Sequence, residues 1–187
     1  NDLGVRLVDP LTLESKVSSS SLRIGDVDPL GPDNLGHAIL FPDDDLDPKI
    51  YSWETDETVQ LEKQTFSIRR QASSDGSLVA FFAPNSDGSW ILISDTKTGK
   101  LTGPELQIDD HLRKLAFSGD GDWLAAAGSA RGYVIERETG ETALEFSLIG
   151  RPIAVGFDHE IRQAFFAMGD ESGSILNVID LKTGAVN

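Results

Sequence analysis

The sequence predicts an all-β protein that is built from repeated units of four short antiparallel strands. One type of strand recurs at intervals of 41 to 45 residues along the chain of 187 residues. Wholly apolar runs of about five residues stand between turn signals, and this length suits a strand but not a helix. Asp-Gly and Thr-Gly pairs mark the turns. At Asp120-Gly121, for example, we expect the glycine to adopt the positive φ that such turns require.

The recurring strand, called strand c here, is mainly apolar and ends on a charged residue. Its five copies end at Asp9, Glu54, Asp95, Arg137 and Asp180. Three of these copies are followed by a Thr-Gly pair, at Thr98-Gly99, Thr139-Gly140 and Thr183-Gly184. We therefore expect a tight turn after each of these three strands.

Three further strand types complete each unit. Strand a precedes a turn and is predicted within 22–31, 68–76, 112–121 and 152–161. Strand b is almost wholly apolar, as is typical of a strand buried on both faces, and is predicted at 37–41, 78–82, 123–127 and 164–168. Strand d is more polar, as an outer edge should be, and is predicted at 58–62, 104–108 and 142–148. A period of about 40–45 residues with four strands predicts the blades of a β-propeller.

The chain resembles the WD-repeat family of β-propellers. The segments that carry the resemblance are LAFSGDG (115–121), WLAAAGS (123–129), YVIERETGE (133–141) and ILISDTKTGK (91–100). The Trp-Asp pair that names the family appears here in altered forms, as Val8-Asp9, Trp53-Glu54, Ser94-Asp95, Glu136-Arg137 and Ile179-Asp180. The nearest match to the family's Gly-His pair is Asp110-His111. The resemblance implies a propeller with a role as a protein-binding scaffold.

Counting the strands predicts a single partial β-propeller with just over four blades across 1–187. The end of one blade lies at 1–18, three full blades at 19–62, 63–108 and 109–148, and most of a further blade at 149–187. The resemblance implies a ring of seven or eight blades. We expect the apolar residues Ile175, Leu176, Val178 and Ile179 to lack a partner within the chain. The ring would then be completed by missing sequence, by another copy or by another chain.

The charge of the chain bears on its partners. Lys and Arg number 16 against 31 Asp and Glu, so the formal net charge is −15. This balance disfavours nucleic acid and anionic membrane surfaces, which need clustered basic residues. The chain has no cysteine, which excludes thiolate catalysis and Cys-ligated zinc. We expect a cytoplasmic protein that binds neither nucleic acid nor membrane and whose protein partner has a basic surface.

One acidic segment predicts a metal site. Asp43, Asp45, Asp47 and Glu54 fall at the first, third, fifth and twelfth positions of an EF-hand-like calcium loop. Pro48 occupies the sixth position, where the sharp turn of such a loop requires glycine. The alternative is an acidic connection between strands b and c that keeps the blade edge soluble. We expect no cofactor other than calcium.

The loops between strands b and c and between strands d and a predict a partner-binding face, because they share one end of a propeller blade. The predicted partner-binding residues in these loops are Asp43, Asp44, Asp87, Asp109, Asp110, Arg131, Asp170 and Glu171. The three tryptophans, Trp53, Trp90 and Trp123, are predicted to pack in the core or between blades.

The predicted function is a non-catalytic scaffold or sensor module for protein–protein interaction. Loops on a rigid framework are where such binding residues are usually found. One alternative is a propeller hydrolase or lyase with its site on the missing blades, and another is a calcium-stabilised binding propeller. An enzyme would show polar residues that converge on the central channel, and no such constellation is evident from the sequence. We therefore assign no catalytic residue.

Overall fold

The computed structural model describes residues 5–8, 15–19, 24–29, 37–42, 49–52, 57–62, 69–158, 163–170 and 173–186. Side chains are described for 49–50, 57–62, 69–158, 163–169 and 173–186. Every regular element in these ranges is a β-strand. None of the described residues lies in a helix that could cross a membrane.

The described strands form five antiparallel sheets, numbered 1 to 5 along the chain. Sheet 1 contains β1 (Val5–Val8) and β2 (Ser15–Ser19). Sheet 2 contains β3 (Ile24–Pro29), β4 (His37–Pro42), β5 (Lys49–Ser52) and β6 (Glu57–Gln60). Sheet 3 contains β7 (Arg69–Ala72), β8 (Leu78–Asn85), β9 (Gly88–Asp95) and β10 (Leu106–Ile108). Sheet 4 contains β11 (Lys114–Phe117), β12 (Trp123–Ala127), β13 (Arg131–Glu136) and β14 (Thr142–Ser147). Sheet 5 contains β15 (Arg151–Asp158), β16 (Gln163–Asp170) and β17 (Gly173–Asp180).

Within each sheet, every strand pairs with the strand that follows it along the chain. Sheets 2, 3 and 4 are therefore four-stranded meanders, in which the successive strands correspond to the predicted strands a, b, c and d. Sheet 5 has three strands, and Val186 forms an isolated bridge with Ile179 where the fourth strand was expected to begin. The predicted all-β fold with antiparallel four-stranded units is confirmed.

The wholly apolar composition of strand b follows from the way the sheets stack. Leu124, Ala125, Ala126 and Ala127 of β12 are all fully buried. Because successive side chains of a strand point to opposite faces, alternate residues enter different cores. Leu124 and Ala126 pack between sheets 3 and 4, whereas Ala125 and Ala127 pack between sheets 4 and 5. Strand b thus has no face that is left for polar residues.

Sheets 2 to 5 pack face to face through three apolar cores. Ile50 of sheet 2 packs with Phe81 of sheet 3, and Ile91 of sheet 3 packs with Ile135 of sheet 4. Between sheets 4 and 5, the rings of Phe146 and Phe166 meet edge to face, with their centroids 4.9 Å apart. Face-to-face packing of four-stranded meanders is the arrangement of propeller blades.

Two of the predicted tryptophan positions lie at these cores. Trp90 packs against the core between sheets 2 and 3, and Trp123 packs against the core between sheets 4 and 5. Both rings are partly buried. Their predicted packing role is confirmed, while Trp53 lies outside the described residues.

The expectation that four apolar residues of β17 lack a partner is wrong for Ile179. Ile179 is fully buried against sheet 4, together with Phe166 and Met168. Ile175 and Leu176 are exposed, at 53% and 56% of their surface. Alternation along the strand explains Leu176, which lies on the face that points away from sheet 4. Ile175 lies on the same face as Ile179 but near the start of β17.

The turns between strands a and b share one hydrogen-bonded design in sheets 3 and 4. In sheet 3, the Asp75 carboxylate accepts hydrogen bonds from the Ser73 hydroxyl at 2.7 Å and the Ser77 backbone N–H at 3.0 Å. These bonds lower the pKa of Asp75. In sheet 4, Asp120 likewise accepts from Ser118. The local sequence Ser-x-Asp-Gly therefore builds the turn twice, 45 residues apart.

Candidate functional site

The predicted binding face is centred, in the described structure, on the connection between β10 and β11. This connection carries Asp109, Asp110 and His111, and it lies beside the turn that leads into β13 at Arg131. Asp87 lies in the turn between β8 and β9 and is exposed. The structure therefore brings Asp109, Asp110 and Arg131 together at one end of sheets 3 and 4.

Asp110 holds the turn between β12 and β13. Its carboxylate accepts backbone hydrogen bonds from Ser129 at 3.0 Å, Ala130 at 3.1 Å and Arg131 at 3.0 Å. The approach is so close that a Cβ at Gly128 would lie 2.1 Å from an Asp110 oxygen. Asp110 was predicted as a partner-binding residue. Its observed contacts are to the backbone of its own chain, and they order the neighbouring turn.

The same connection also holds the turn between β8 and β9 of the preceding sheet. The Nδ1 atom of His111 lies 3.1 Å from the carbonyl oxygen of Gly88. The backbone N–H of Leu112 donates to the Ser89 hydroxyl at 2.8 Å. Residues 110–112 thus bridge the b–c turns of two consecutive sheets. The sequence resemblance placed His111 near a Gly-His position but did not predict these partners.

Arg131 forms an exposed ion pair next to this bridge. Its Nη1 atom donates to Glu145 Oε1 at 2.7 Å, and both side chains are about half exposed. The charge of Glu145 raises the pKa of Arg131. Glu145 was not among the predicted site residues, because the cross-strand contact between β13 and β14 becomes evident only from their register.

The remaining predicted residues lie outside the part of the chain in which side chains are described. For the calcium hypothesis these are Asp43, Asp45, Asp47 and Glu54. For the partner-binding face they are Asp43, Asp44, Asp170 and Glu171, of which Asp170 has a described backbone at the end of β16. The strands that flank the acidic segment are β4 and β5, which pair antiparallel. Elsewhere in the described residues, no group of three or more His, Asp or Glu is placed to hold a metal ion.

A basic cleft, which was not predicted, lies at the start of the first strands of sheets 3, 4 and 5. Its volume is about 470 Å³. The first residues of β7, β11 and β15 are Arg69, Lys114 and Arg151, and all three line the cleft. Arg70 and Arg113 complete its basic lining. Five of the 16 basic residues of this acidic chain therefore converge on one cleft, and no acidic residue among those with described side chains lines it.

Contacts between neighbouring sheets position these basic side chains. The Nη1 atom of Arg69 donates to the carbonyl oxygen of Arg113 at 3.0 Å and to that of Leu112 at 3.4 Å. These bonds join strand β7 of sheet 3 to the segment that enters β11 of sheet 4. Strand β11 also contacts β15. Within the described residues, none of Arg69, Arg113, Lys114 and Arg151 forms a salt bridge with an acidic side chain.

A signal for this cleft was present in the repeat. A basic residue stands at or just before the start of strand a at Arg23, Arg69, Arg113 and Arg151. The net charge of −15 predicts an acidic binding face and does not indicate this local cluster. That the side chains converge depends on the stacking of the sheets, and Arg23 lies outside the described residues.

The opposite end of sheets 4 and 5 carries an acidic cleft of about 670 Å³. Its lining combines carboxylates with aromatic rings and one lysine: Asp120, Asp122, Glu136, Glu138, Asp158, Trp123, Phe157 and Lys182. The two clefts therefore differ in the sign of their charge.

Comparison with known proteins supports the fold. No family model and no curated protein matches the sequence. Among solved structures, the hydrazine synthase of Kuenenia stuttgartiensis is similar, with a TM-score of 0.63 and 14% sequence identity. The match covers 84% of this chain and 46% of that structure, so the chain spans less than half the length of its neighbour. At this identity the likeness shows a common fold, a β-propeller-like arrangement of antiparallel sheets.

Proposed function

We propose that this chain is a non-catalytic protein-interaction module, built on WD-like propeller sheets and acting in the cytoplasm. The observation that carries the proposal is the bridge at Asp110, His111 and Leu112, which orders the b–c turns of two consecutive sheets. A binding surface whose loops are already ordered loses less conformational entropy when a partner docks. Loops that are held on a rigid framework are a common place for recognition.

The charges on this face support a partner with a basic surface. Asp87 and Asp109 are exposed there, and the Arg131–Glu145 ion pair adds a further exposed carboxylate. Complementary charge raises the association rate, and salt screens this effect. The partner should therefore associate more slowly as the ionic strength rises.

Charge reversal on the binding face tests the proposal. The variant Asp87→Lys/Asp109→Lys reverses two exposed charges on this face. Its matched control, Glu138→Lys/Glu141→Lys, reverses two exposed charges in the c–d turn at the opposite end of sheet 4. Chemical crosslinking with quantitative mass spectrometry would identify a partner of the wild-type chain, and surface plasmon resonance would measure its association rate.

We expect the face variant to lower the association rate by about tenfold or more and the control to leave it nearly unchanged. Equal losses in the two variants would show that only net charge matters. A partner that binds the face variant normally, or that is insensitive to salt, would contradict the proposal.

A further inference from the structure

The basic cleft adjoins the proposed docking face, since Arg69 donates to Leu112 of the bridge, but its lining is basic rather than acidic and points to a small-molecule site. We propose that the cleft at the start of β7, β11 and β15 binds a compact polyanion that carries clustered phosphate or carboxylate groups. The proposal rests on three features of the cleft: the convergence of its charges, the chemistry of its lining and the contacts that hold it in place.

The convergence of charge has a cost that a bound anion would remove. Five basic residues line one space of about 470 Å³: Arg69, Arg70, Arg113, Lys114 and Arg151. Like charges in a cleft repel, and the low-dielectric walls of a cleft concentrate their field. None of the acidic residues whose side chains the structure describes lines this space. Among the described residues, no salt bridge neutralises Arg69, Arg113, Lys114 or Arg151, and a ligand with several negative charges would do so.

The lining selects for anionic groups rather than for an aromatic ring. Four of the five cations are arginines, whose planar guanidinium groups bind phosphate and carboxylate in two-pronged fashion. The apolar members Phe82, Leu115 and Pro152 are buried, so they offer little surface on which a base or ring could stack. The volume lies within the range of about 300–1,000 Å³ that is typical of small-ligand sites.

Two arginines of the cleft are already partly oriented. Arg69 donates to the carbonyl oxygens of Leu112 and Arg113, and Arg113 Nε lies 3.4 Å from the Ser129 hydroxyl. Ser129 is itself held by Asp110 through its backbone N–H. Fewer rotamers are therefore lost on binding, which favours affinity. Lys114 and Arg151 make no such described contact, so they can be changed with little effect on folding.

Calorimetric titration of the purified 187-residue chain tests the proposal. The probes are inorganic tripolyphosphate for clustered phosphate, citrate for clustered carboxylate, sulfate for a single compact anion, and an unphosphorylated single-stranded oligonucleotide for a nucleic-acid strand. The variants are Lys114→Gln/Arg151→Gln in the cleft and, as a control, Arg131→Gln, which removes a positive charge outside the cleft.

We expect tripolyphosphate or citrate to bind more tightly than sulfate. The cleft variant should weaken this binding by about tenfold or more, since each lost charge-assisted contact removes a large share of the affinity. The Arg131→Gln control should retain wild-type affinity. The melting temperature of each variant, measured in buffer without ligand, checks that it is folded. If the double neutralisation lowers stability, the variant Lys114→Arg/Arg151→Lys, which keeps both positive charges, should still bind the anion.

The four probes distinguish the kinds of anionic group that the cleft binds. Preference for tripolyphosphate over citrate assigns a phosphate ligand, and the reverse assigns a polycarboxylate. No binding of either probe, equal binding by the cleft variant, or tighter binding of the oligonucleotide than of both compact probes would overturn the proposal.

Discussion

Single glycines show how the same backbone conformation can meet different surroundings. Gly99 and Gly121 both adopt left-handed conformations, with φ of 69° and 77°. A Cβ at Gly99 would lie 2.2 Å from the carbonyl oxygen of Gln60, in the neighbouring sheet. A Cβ at Gly121 would meet only the Leu78 side chain, at an ordinary 3.6 Å. The positive φ predicted for Gly121 from Asp120-Gly121 is confirmed.

We expect Gly99→Ala to destabilise the protein more than Gly121→Ala. The Gly121 variant bears the backbone strain alone, and its free energy of unfolding should fall by about 1–2 kcal/mol. The Gly99 variant must also separate two sheets, and the fall should be about 3 kcal/mol or more. Urea denaturation measures both values. Equal losses would show that contact with the neighbouring sheet is unimportant.

Tyr133 carries a buried hydroxyl, and the positive charge of Arg131 nearby partly offsets the cost of its burial. Its side chain is 3% exposed, and its hydroxyl has no hydrogen-bond partner within the described residues. Burial, and then the negative charge of Asp110, raise the pKa of Tyr133 to about 12. The folded-state pKa exceeds the unfolded value of about 10. The contribution of this residue to the free energy of unfolding is therefore fully present below pH 10. That contribution is lost as the pH rises towards 12.

We expect Tyr133→Phe to remove this pH dependence. Wild-type stability should fall between pH 10 and pH 12 more steeply than that of the variant. Below pH 9 the variant should equal the wild type or exceed it by up to about 1 kcal/mol, since an unpaired buried hydroxyl is removed. Chemical denaturation at several pH values measures both effects. A variant that is clearly less stable at neutral pH would show that the hydroxyl makes a useful hydrogen bond.

At the scale of elements, the connection between β10 and β11 stabilises the b–c turns of two sheets. We expect Asp110→Ala to lower the free energy of unfolding by about 1.5–3 kcal/mol, because three charge-assisted hydrogen bonds to the backbone are lost. The amides of residues 129–131 should exchange with solvent faster. The neighbouring Asp109→Ala serves as control and should change stability by less than about 0.5 kcal/mol. Unchanged amide exchange in the Asp110 variant would contradict this role.

The connection between β4 and β5 distinguishes the calcium hypothesis from the acidic-loop alternative. If Asp43, Asp45, Asp47 and Glu54 bind calcium, millimolar Ca²⁺ should raise the melting temperature relative to a chelator, since a ligand that binds only the folded state stabilises it. Asp45→Asn should abolish the increase, whereas Asp87→Asn should not. A melting temperature that is the same with calcium and with chelator would contradict the calcium hypothesis and favour the alternative, an acidic connection that keeps the blade edge soluble.

At the scale of the whole molecule, sheet 5 has an apolar face that points away from sheet 4. The residues of this face pair across the sheet and are Ala154, Phe165, Ala167, Leu176 and Val178. The opposite face carries Phe166, Met168 and Ile179, which are buried against sheet 4. A strand face of this composition is typical of a blade that packs on a further blade, as the proposed completion of the ring requires.

We expect the 187-residue chain, expressed alone, to self-associate and to bind a dye that reports apolar surface. Leu176→Lys/Val178→Lys should reduce both, because it places charges on the outward face. Ile149→Lys, at a position that is 76% exposed and outside this face, is the control. Light scattering and dye fluorescence are the measurements. A monodisperse monomer that melts cooperatively and binds no dye would contradict the incomplete ring.

The local features of this protein were determined by its sequence. The period of 41 to 45 residues, the apolar strand b and the turn glycines predicted the strands of sheets 2 to 5, because each depends on residues that are close together in the chain. Gly121 and the strand at Trp123–Ala127 are examples in which a few neighbouring residues were sufficient.

The tertiary structure decided which residues meet across sheets. Ile179 is buried and Leu176 is exposed because β17 turns only one face to sheet 4. Asp110 is bound to the backbone of a turn that begins 19 residues later in the chain. Arg69, Lys114 and Arg151 share one cleft because the first strands of sheets 3, 4 and 5 begin close together, although each residue is separated from the next by more than 35 residues. Such contacts depend on the register and stacking of whole sheets, which the pattern of a single strand does not specify.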